Sequence, residues 1–394
     1  MSTIRFIHTA DWHIGAPFHR VTDPDHRARV RLERQSAIGR MREAVREFEA
    51  SFVLVAGDLF HSSSPSPSEV SQALSHMGAL GVPVMVIPGN HDHGGAGGIW
   101  SRKELKEQLA KAAPNVRVLL ERAPMEVAGA VVLPCPLLAR GSSADPAGWI
   151  RSLDFASLPP GPRIVLAHGS VQGFGGETAA EADDENPSAG SSHINLASLP
   201  MDEVDYVALG DWHGAKEVGP KAWYPGTPET DRFPRGEGYR SGQVLCVEAS
   251  RGGVPTTEFR RTGALQWHVV DHRFNTDEDL QLLQARVDGL LEGRAGMDLL
   301  LLKLDGSLSL DAAGRLESWL QGLEARLLRL KLRDRTSVAP NEDELRELTQ
   351  RAGDPLVARV AARLEEKMDA SGRDGEVARM ALRELYATCV QREG

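Results

Sequence analysis

The sequence predicts an α/β fold with a parallel-rich sheet. Three observations carry that prediction: short, almost wholly apolar runs recur, they alternate with highly charged segments of helical period, and each run stops at a glycine or a polar turn. A chain of 394 residues has room for one large α/β unit and one or two smaller ones. Hydrophobic and charged contents of 41% and 25% are those of an ordinary soluble globular chain, and no apolar run approaches the length of a membrane span. Residues 1–5 run straight into a strand without a signal-peptide pattern, so a cytoplasmic protein is expected. Cys135, Cys246 and Cys389 lie far apart, which argues against a disulfide framework or a thiolate zinc site. A formal net charge of -10 argues against a simple basic module for duplex DNA. Nucleic acid stays open as a substrate, because bound divalent cations reverse the field at an acidic site and a partner can supply basic surface.

Residues 4–9 form the first expected strand, with His8 a core histidine, and the run ends at Ala10-Asp11-Trp12-His13. Asp11 and His13, two apart, share a side in extended geometry, so a carboxylate and an imidazole can grip one ion. Residues 25–50 carry Val30, Leu32, Ile38, Met41, Val45 and Phe48 at helical spacing beneath a charged outer face. Residues 52–56 are the second strand, stopped by Gly57 and followed by Asp58, whose two oxygens can bridge two cations; His61 lies just beyond. Helical patterns at 68–80 and 99–112 flank a third strand, Val84-Met85-Val86-Ile87, which Pro88-Gly89 cuts short before Asn90-His91-Asp92. On that turn Asn90 offers an amide oxygen, His91 a proton near neutral pH, and Asp92 a carboxylate able to orient an imidazole. Open α/β sheets place their ligands at such C-terminal strand ends.

Further strands are expected at 116–120, 127–133 and 164–167, the last running directly into His168. Residues 172–192 are rich in glycine, serine and acid and read as a mobile loop beside the site. A strand at 204–209 ends in Gly210-Asp211-Trp212-His213, and strands near 243–248 and 256–260 complete the first domain. The rhythm then changes. Strand 265–270, helix 277–291, strand 298–304, helix 311–325 and strand 327–333 make a compact βαβαβ unit. From about Pro340 the chain is helical and highly charged, a tail that either holds a partner or folds back on its own domain.

Five separate strands thus end in candidate ligands: Asp11, His13, Asp58, Asn90, His168, Asp211 and His213. Carboxylate, amide and imidazole donors without a thiolate suit Mn²⁺, Fe²⁺ or Mg²⁺ better than a structural zinc. A bridging Asp58 would hold two such ions roughly 3.5–4 Å apart, the spacing of two-metal phosphatases and nucleases. In order, D-x-H at Asp11-Trp12-His13, G-D at Gly57-Asp58, G-N-H-D ending at Asp92, His168, and G-x-x-H ending at His213 resemble the calcineurin-like metallophosphoesterase superfamily. Within it, His8-Thr9-Ala10-Asp11-Trp12-His13-Ile14-Gly15, Gly57-Asp58-Leu59-Phe60-His61 and His168-Gly169-Ser170 look like the SbcD-type DNA double-strand-break repair nucleases.

That resemblance covers residues 1–262 and implies a nuclease domain built as a β-sandwich flanked by helices. Residues 263–336 are similar in place and size to the family's DNA capping domain. Residues 337–394 match, by position alone, the segment with which such nucleases hold their coiled-coil ATPase. By the same resemblance Asp11, His13, Asp58 and His213 would bind one Mn²⁺, while Asp58, Asn90, His168 and the position of Asp211 would bind the other. His91 would act at the scissile phosphate and His61 would contact it. The last motif departs from the usual G-H-x-H, with Asp211 putting an anion where the family has a neutral imidazole. The expected function is a Mn²⁺-dependent DNA exo/endonuclease subunit that dimerises and works with an SbcC-like ATPase. Two readings compete with it. A phosphoesterase for small molecules such as cyclic nucleotides has no need of the βαβαβ unit and tail, and a catalytically weak scaffold that binds DNA ends has no need of a complete ligand set.

Overall fold

Strand and helix alternate from the start of the chain: β1 (Thr3–Thr9), α1 (Pro24–Glu47), β2 (Phe52–Ala56), α2 (Pro67–Gly78), β3 (Val84–Ile87), α3 (Lys103–Ala112) and β4 (Val116–Val118). The computed structural model describes residues 3–139, 144–171, 192–234, 236, 238–294 and 296–390. Asp23 caps α1 by accepting from Asp25 and His26 N–H, and Ser66 and Glu69 close a reciprocal capping box on α2; each helix then opens with a proline that needs no donor there. Next come β5 (Met125–Val127), β6 (Ala130–Cys135), β7 (Arg163–His168), the short pair β8 (Ser170–Val171) and β9 (His193–Ile194), β10 (Tyr206–Gly210), β11 (Ala215–Gly219), β12 (Ala222–Pro225), β13 (Gln243–Ser250) and β14 (Thr256–Arg261).

These strands build two six-stranded sheets, in the orders β14-β13-β1-β2-β3-β4 and β11-β12-β10-β7-β6-β5. Strands β1 to β4 run parallel, as do β6, β7, β10 and β12, while β13, β5 and β11 pair antiparallel with their neighbours and β14 antiparallel with β13. Period-two alternation divides their side chains. Phe6, Phe52, Leu54 and Ala56 face Ile164, Leu166, Tyr206 and Ala208 between the sheets, whereas Ile7, Val53 and Val55 pack outward with Ile38, Met41 and Met77 of the helices. Both faces are covered, which is why these strands read as unbroken apolar runs. A β-sandwich flanked by helices is therefore the architecture.

Some elements differ from expectation. The helix expected at 99–112 is a 3-10 turn at Ile99–Ser101 followed by α3, because Arg102 takes an extended conformation between them. The strand expected at 127–133 belongs to a hairpin whose two-residue turn, Ala128 and Gly129, has positive φ at both positions. Strands β11 and β12 were not foreseen. Of the stretch 172–192, expected as a loop beside the site, all but Ser192 lies outside the described residues.

Residues 267–394 make a second compact unit. Here β15 (Gln266–Phe274), α4 (Asp279–Leu291), β16 (Asp298–Leu308), α5 (Leu310–Glu324) and β17 (Arg329–Val338) form a three-stranded sheet in chain order with a leucine-rich core that includes α4 and α5. The tail helices α6 (Glu342–Thr349), α7 (Pro355–Met368) and α8 (Arg373–Val390) fold back within this unit, burying Leu348, Ala361 and Leu382 around Leu310. Glu344 of α6 accepts from the N–H groups of Leu310 and Asp311, placing an anion on the N-terminus of α5. Among the described residues no helix is long and apolar enough to cross a membrane.

Candidate metal centre

The C-terminal ends of β1, β2, β3, β7 and β10 carry the candidate ligands, and β1, β2 and β3 are adjacent and parallel in one sheet while β7 and β10 are adjacent and parallel in the other. Side chains up to two hundred positions apart therefore meet at one edge of the sandwich. Asp11, His13, Asp58 and Asp211 all have positive φ, with values of 56°, 42°, 52° and 110°. Backbone bonds hold the first three there, from Asp11 N to Gly57 O and from His13 N to Asp58 O. Such conformations are costly and persist where surrounding contacts over-determine them. Gly57 is required by space as well as by φ, since a Cβ there would lie 2.4 Å from His168 Nδ1.

Two donor clusters result. Asp11, His13 and His213 form one, Asp11, Asp58 and His168 the other, each with its ligand atoms within 4.8 Å of one another. His13 Nε2 lies 3.2 Å from His213 Nε2 and 3.6 Å from Asp58 Oδ2. His168 Nε2 lies 3.4 Å from the same Asp58 oxygen, 2.9 Å from Asn90 Oδ1 and 3.9 Å from Asp211 Oδ1. Asp58 thus stands between the clusters. Asp211 N donates to the Asp11 carboxylate, and His91 N donates to Asp58 Oδ1. His91 Nδ1 lies 2.9 Å from the His61 carbonyl, which accepts its proton and leaves Nε2 as the available nitrogen. His61 Nδ1 lies 3.4 Å from His13 Nδ1, so His13, His61 and His91 form a third group of converging rings. The seven candidate ligands and the two candidate catalytic histidines read from the sequence come together here.

Asp92 has a different role from the one expected. Among the described residues it orients no imidazole; its carboxylate accepts from the N–H groups of Gly89, Leu59 and Phe60, lacing the loop after β2 to the loop after β3. Asp231 and Arg34 were missed altogether. Asp231 Oδ2 lies 2.6 Å from His213 Nδ1, and Arg34, buried on α1, donates to the carbonyls of Trp12 and Asp11. A lone arginine in an arginine-rich helix and an aspartate in a loop carry no local pattern that would mark them.

The electrostatics fit divalent cations. Burial raises the Asp11 carboxyl to about 6 and, with the nearby Asp58 charge, raises Asp92 to about 7. Burial followed by the His213 ring pushes His13 well down. Burial opposes charge on Asp58 and His168 alike, but each offsets it for the other: Asp58 is held below the usual carboxylate range, and His168 well above the usual imidazole range. His168 Nδ1 is already bound to Ala56 O at 2.8 Å, so its Nε2 points at three oxygens, where a proton stands in for a cation. Oxygen and neutral nitrogen donors of this kind match Mn²⁺, Fe²⁺ or Mg²⁺.

Residues 4–235 match the family model described as calcineurin-like phosphoesterase. A curated relative, the "uncharacterized metallophosphoesterase YhaO" of Bacillus subtilis (strain 168), is 25% identical over 281 residues, a match spanning 68% of this chain and 62% of the relative. Less than two thirds of that relative's length is therefore represented. Among solved structures, TT1561 of Thermus thermophilus superposes with a TM-score of 0.40 at 12% identity, over 66% of this chain and 100% of that one. With the family model spanning more than half of its length, the chain belongs to the calcineurin-like phosphoesterase family.

Proposed function

We propose that this metal-dependent phosphoesterase is a DNA exo/endonuclease, using two divalent cations, Mn²⁺ foremost, and working as a homodimer with an SbcC-like coiled-coil ATPase. The observation that carries the phosphodiesterase chemistry is the position of Asp58, one of whose oxygens is within 3.6 Å of donors from both clusters. Asp11, His13 and His213 would hold one cation and Asn90, His168 and Asp211 the other, with Asp58 shared. When bound, such a pair neutralises the phosphate's non-bridging oxygens and activates the attacking water. His61 fixes His91 by its carbonyl. In its protonated form His91 gives the Nε2 proton to the leaving oxygen as the P–O bond breaks.

Two features support a nucleic acid over a small ester. The motif resemblance at residues 8–15, 57–61 and 168–170 is to DNA nucleases, and β17 sets Arg329, Lys331, Arg333 and Arg335 on one side of a strand, cations suited to a phosphate backbone. The assay is cleavage of end-labelled linear duplex DNA with Mn²⁺, run beside a chromogenic phosphodiester and phosphomonoester. DNA is expected to be cut, with His91→Ala slower by about 10²–10⁴-fold. Hydrolysis of the small esters with intact DNA would overturn the nuclease reading in favour of a small-molecule phosphoesterase, and failure to retain Mn²⁺ would favour the scaffold.

A further inference from the structure

Two groups claim the same nitrogen of His213. Asp231 Oδ2 lies 2.6 Å from Nδ1, and Arg232 Nη2 lies 2.5 Å from it. The claims are mutually exclusive: a carboxylate accepts only from a protonated Nδ1, whereas a guanidinium donates only to a bare one. In a neutral ring the second choice puts the proton on Nε2, which faces His13 Nε2 at 3.2 Å inside the cluster with Asp11. A protonated Nε2 cannot ligate. Resting on the two-cation reading above, we propose that Asp231 is a positioning residue for the first cation: it holds His213 in the Nδ1–H tautomer, and loading of the site dismisses Arg232 from the ring.

The surroundings of Asp231 suit that task. Its side chain is 10% exposed, so its charge is little screened, and Arg34 Nη2 at 3.7 Å and Arg232 Nε at 3.3 Å balance it. Arg34, itself 3% exposed, donates Nε to Trp12 O at 2.5 Å and Nη2 to Asp11 O at 3.1 Å. One buried arginine therefore ties the left-handed turn that presents Asp11 and His13 to the carboxylate that orients His213. Ligating histidines elsewhere rely on a partner of this type to fix ring and tautomer. Asp231 and His213 are eighteen residues apart in the chain and meet through the loop that follows β12.

The test is calorimetric titration of the chelator-stripped full chain with Mn²⁺, joined to ¹⁵N spectra of the imidazoles with and without diamagnetic Mg²⁺. Four proteins are compared: wild type, Asp231→Asn, Arg232→Gln and His213→Ala. Asp231→Asn is expected to weaken one Mn²⁺ by about 10–100-fold and to move His213 toward the Nε2–H form. Arg232→Gln, which removes the rival, is expected to keep full affinity and a single Nδ1–H form. Wild-type affinity and tautomer in Asp231→Asn would overturn the proposal, provided that His213→Ala loses an ion. Full binding of two ions by His213→Ala would instead remove His213 from the ligand set and the proposal with it, and a wild-type protein that binds fewer than two Mn²⁺ would sink the two-cation reading itself. Should Asp231→Asn fail to fold, the wild-type spectra decide, and an Nε2–H ring that persists with Mg²⁺ bound overturns the assignment.

Discussion

Asp58 and Asp211 show how one residue type serves two purposes at a strand end. Asp58 is 2% exposed, with Oδ1 taken by His91 N and Oδ2 turned toward His13 and His168. Asp211 sits at the rim, its side chain 21% exposed, and its Oδ1 faces His168 from 3.9 Å. A carboxylate at this place offers a donor, as an imidazole would, but adds a charge. Asp211→His should therefore retain both ions, with affinity for Mn²⁺ changed by no more than about tenfold, the low end of what a perturbed ligand shell costs. Titration and metal analysis of the variant check this, and loss of the second ion would show that the position does not accept an imidazole in place of the carboxylate. At this scale the sequence was informative wherever a donor followed an apolar run, as Asp11, Asp58, Asn90 and His168 do. Arg34 and Asp231 were illegible because each acquires its role only from a partner that the fold brings in: Asp11 lies 23 residues from Arg34, and Arg34 and Asp231 come from a helix and a distant loop.

At the scale of elements, β1 does two jobs: it anchors the sandwich and presents the D-x-H turn. Phe6 stacks on Phe52 with ring centroids 5.1 Å apart and meets Tyr206 of the facing sheet edge-on at 5.4 Å. Truncation by Phe6→Ala would leave a cavity between the two sheets, which β13 and β2 on either side of β1 hold in place, so a loss of about 3–5 kcal/mol is expected in denaturant unfolding. Because the same strand continues into Asp11 and His13, the variant's Mn²⁺ affinity should fall as well, measured below its unfolding midpoint. Unchanged metal binding in the destabilised variant would show that the turn is held by its own backbone bonds to Gly57 and Asp58 alone. The central strands were readable because burial on both faces leaves an unbroken apolar signature. The hairpin of β5 and β6 was not, since its turn uses Ala128 at a position where the usual signal is asparagine or aspartate before glycine.

Over the whole molecule, a chain of formal charge -10 concentrates buried acids at a site meant for anions. Cations resolve the conflict, and they must displace protons to do so. Burial raises the Asp11 carboxyl to about 6, and Asp58 outweighs burial at His168 and holds its ring protonated well above the ordinary imidazole value. Both groups ligate only when deprotonated, so binding releases their protons and apparent affinity must rise with pH, first through the Asp11 range and then further as His168 gives up its proton. Asp231, held well below the usual carboxylate range despite its burial, by His213 and Arg232, is already ionised and contributes nothing to this release. Titrating Mn²⁺ into the stripped protein at pH 6, in two buffers of different ionisation enthalpy, should report roughly one to two protons released per chain. Mn²⁺ affinity that stayed flat from acid to mildly alkaline pH would mean that the cations do not occupy the place where those protons sit.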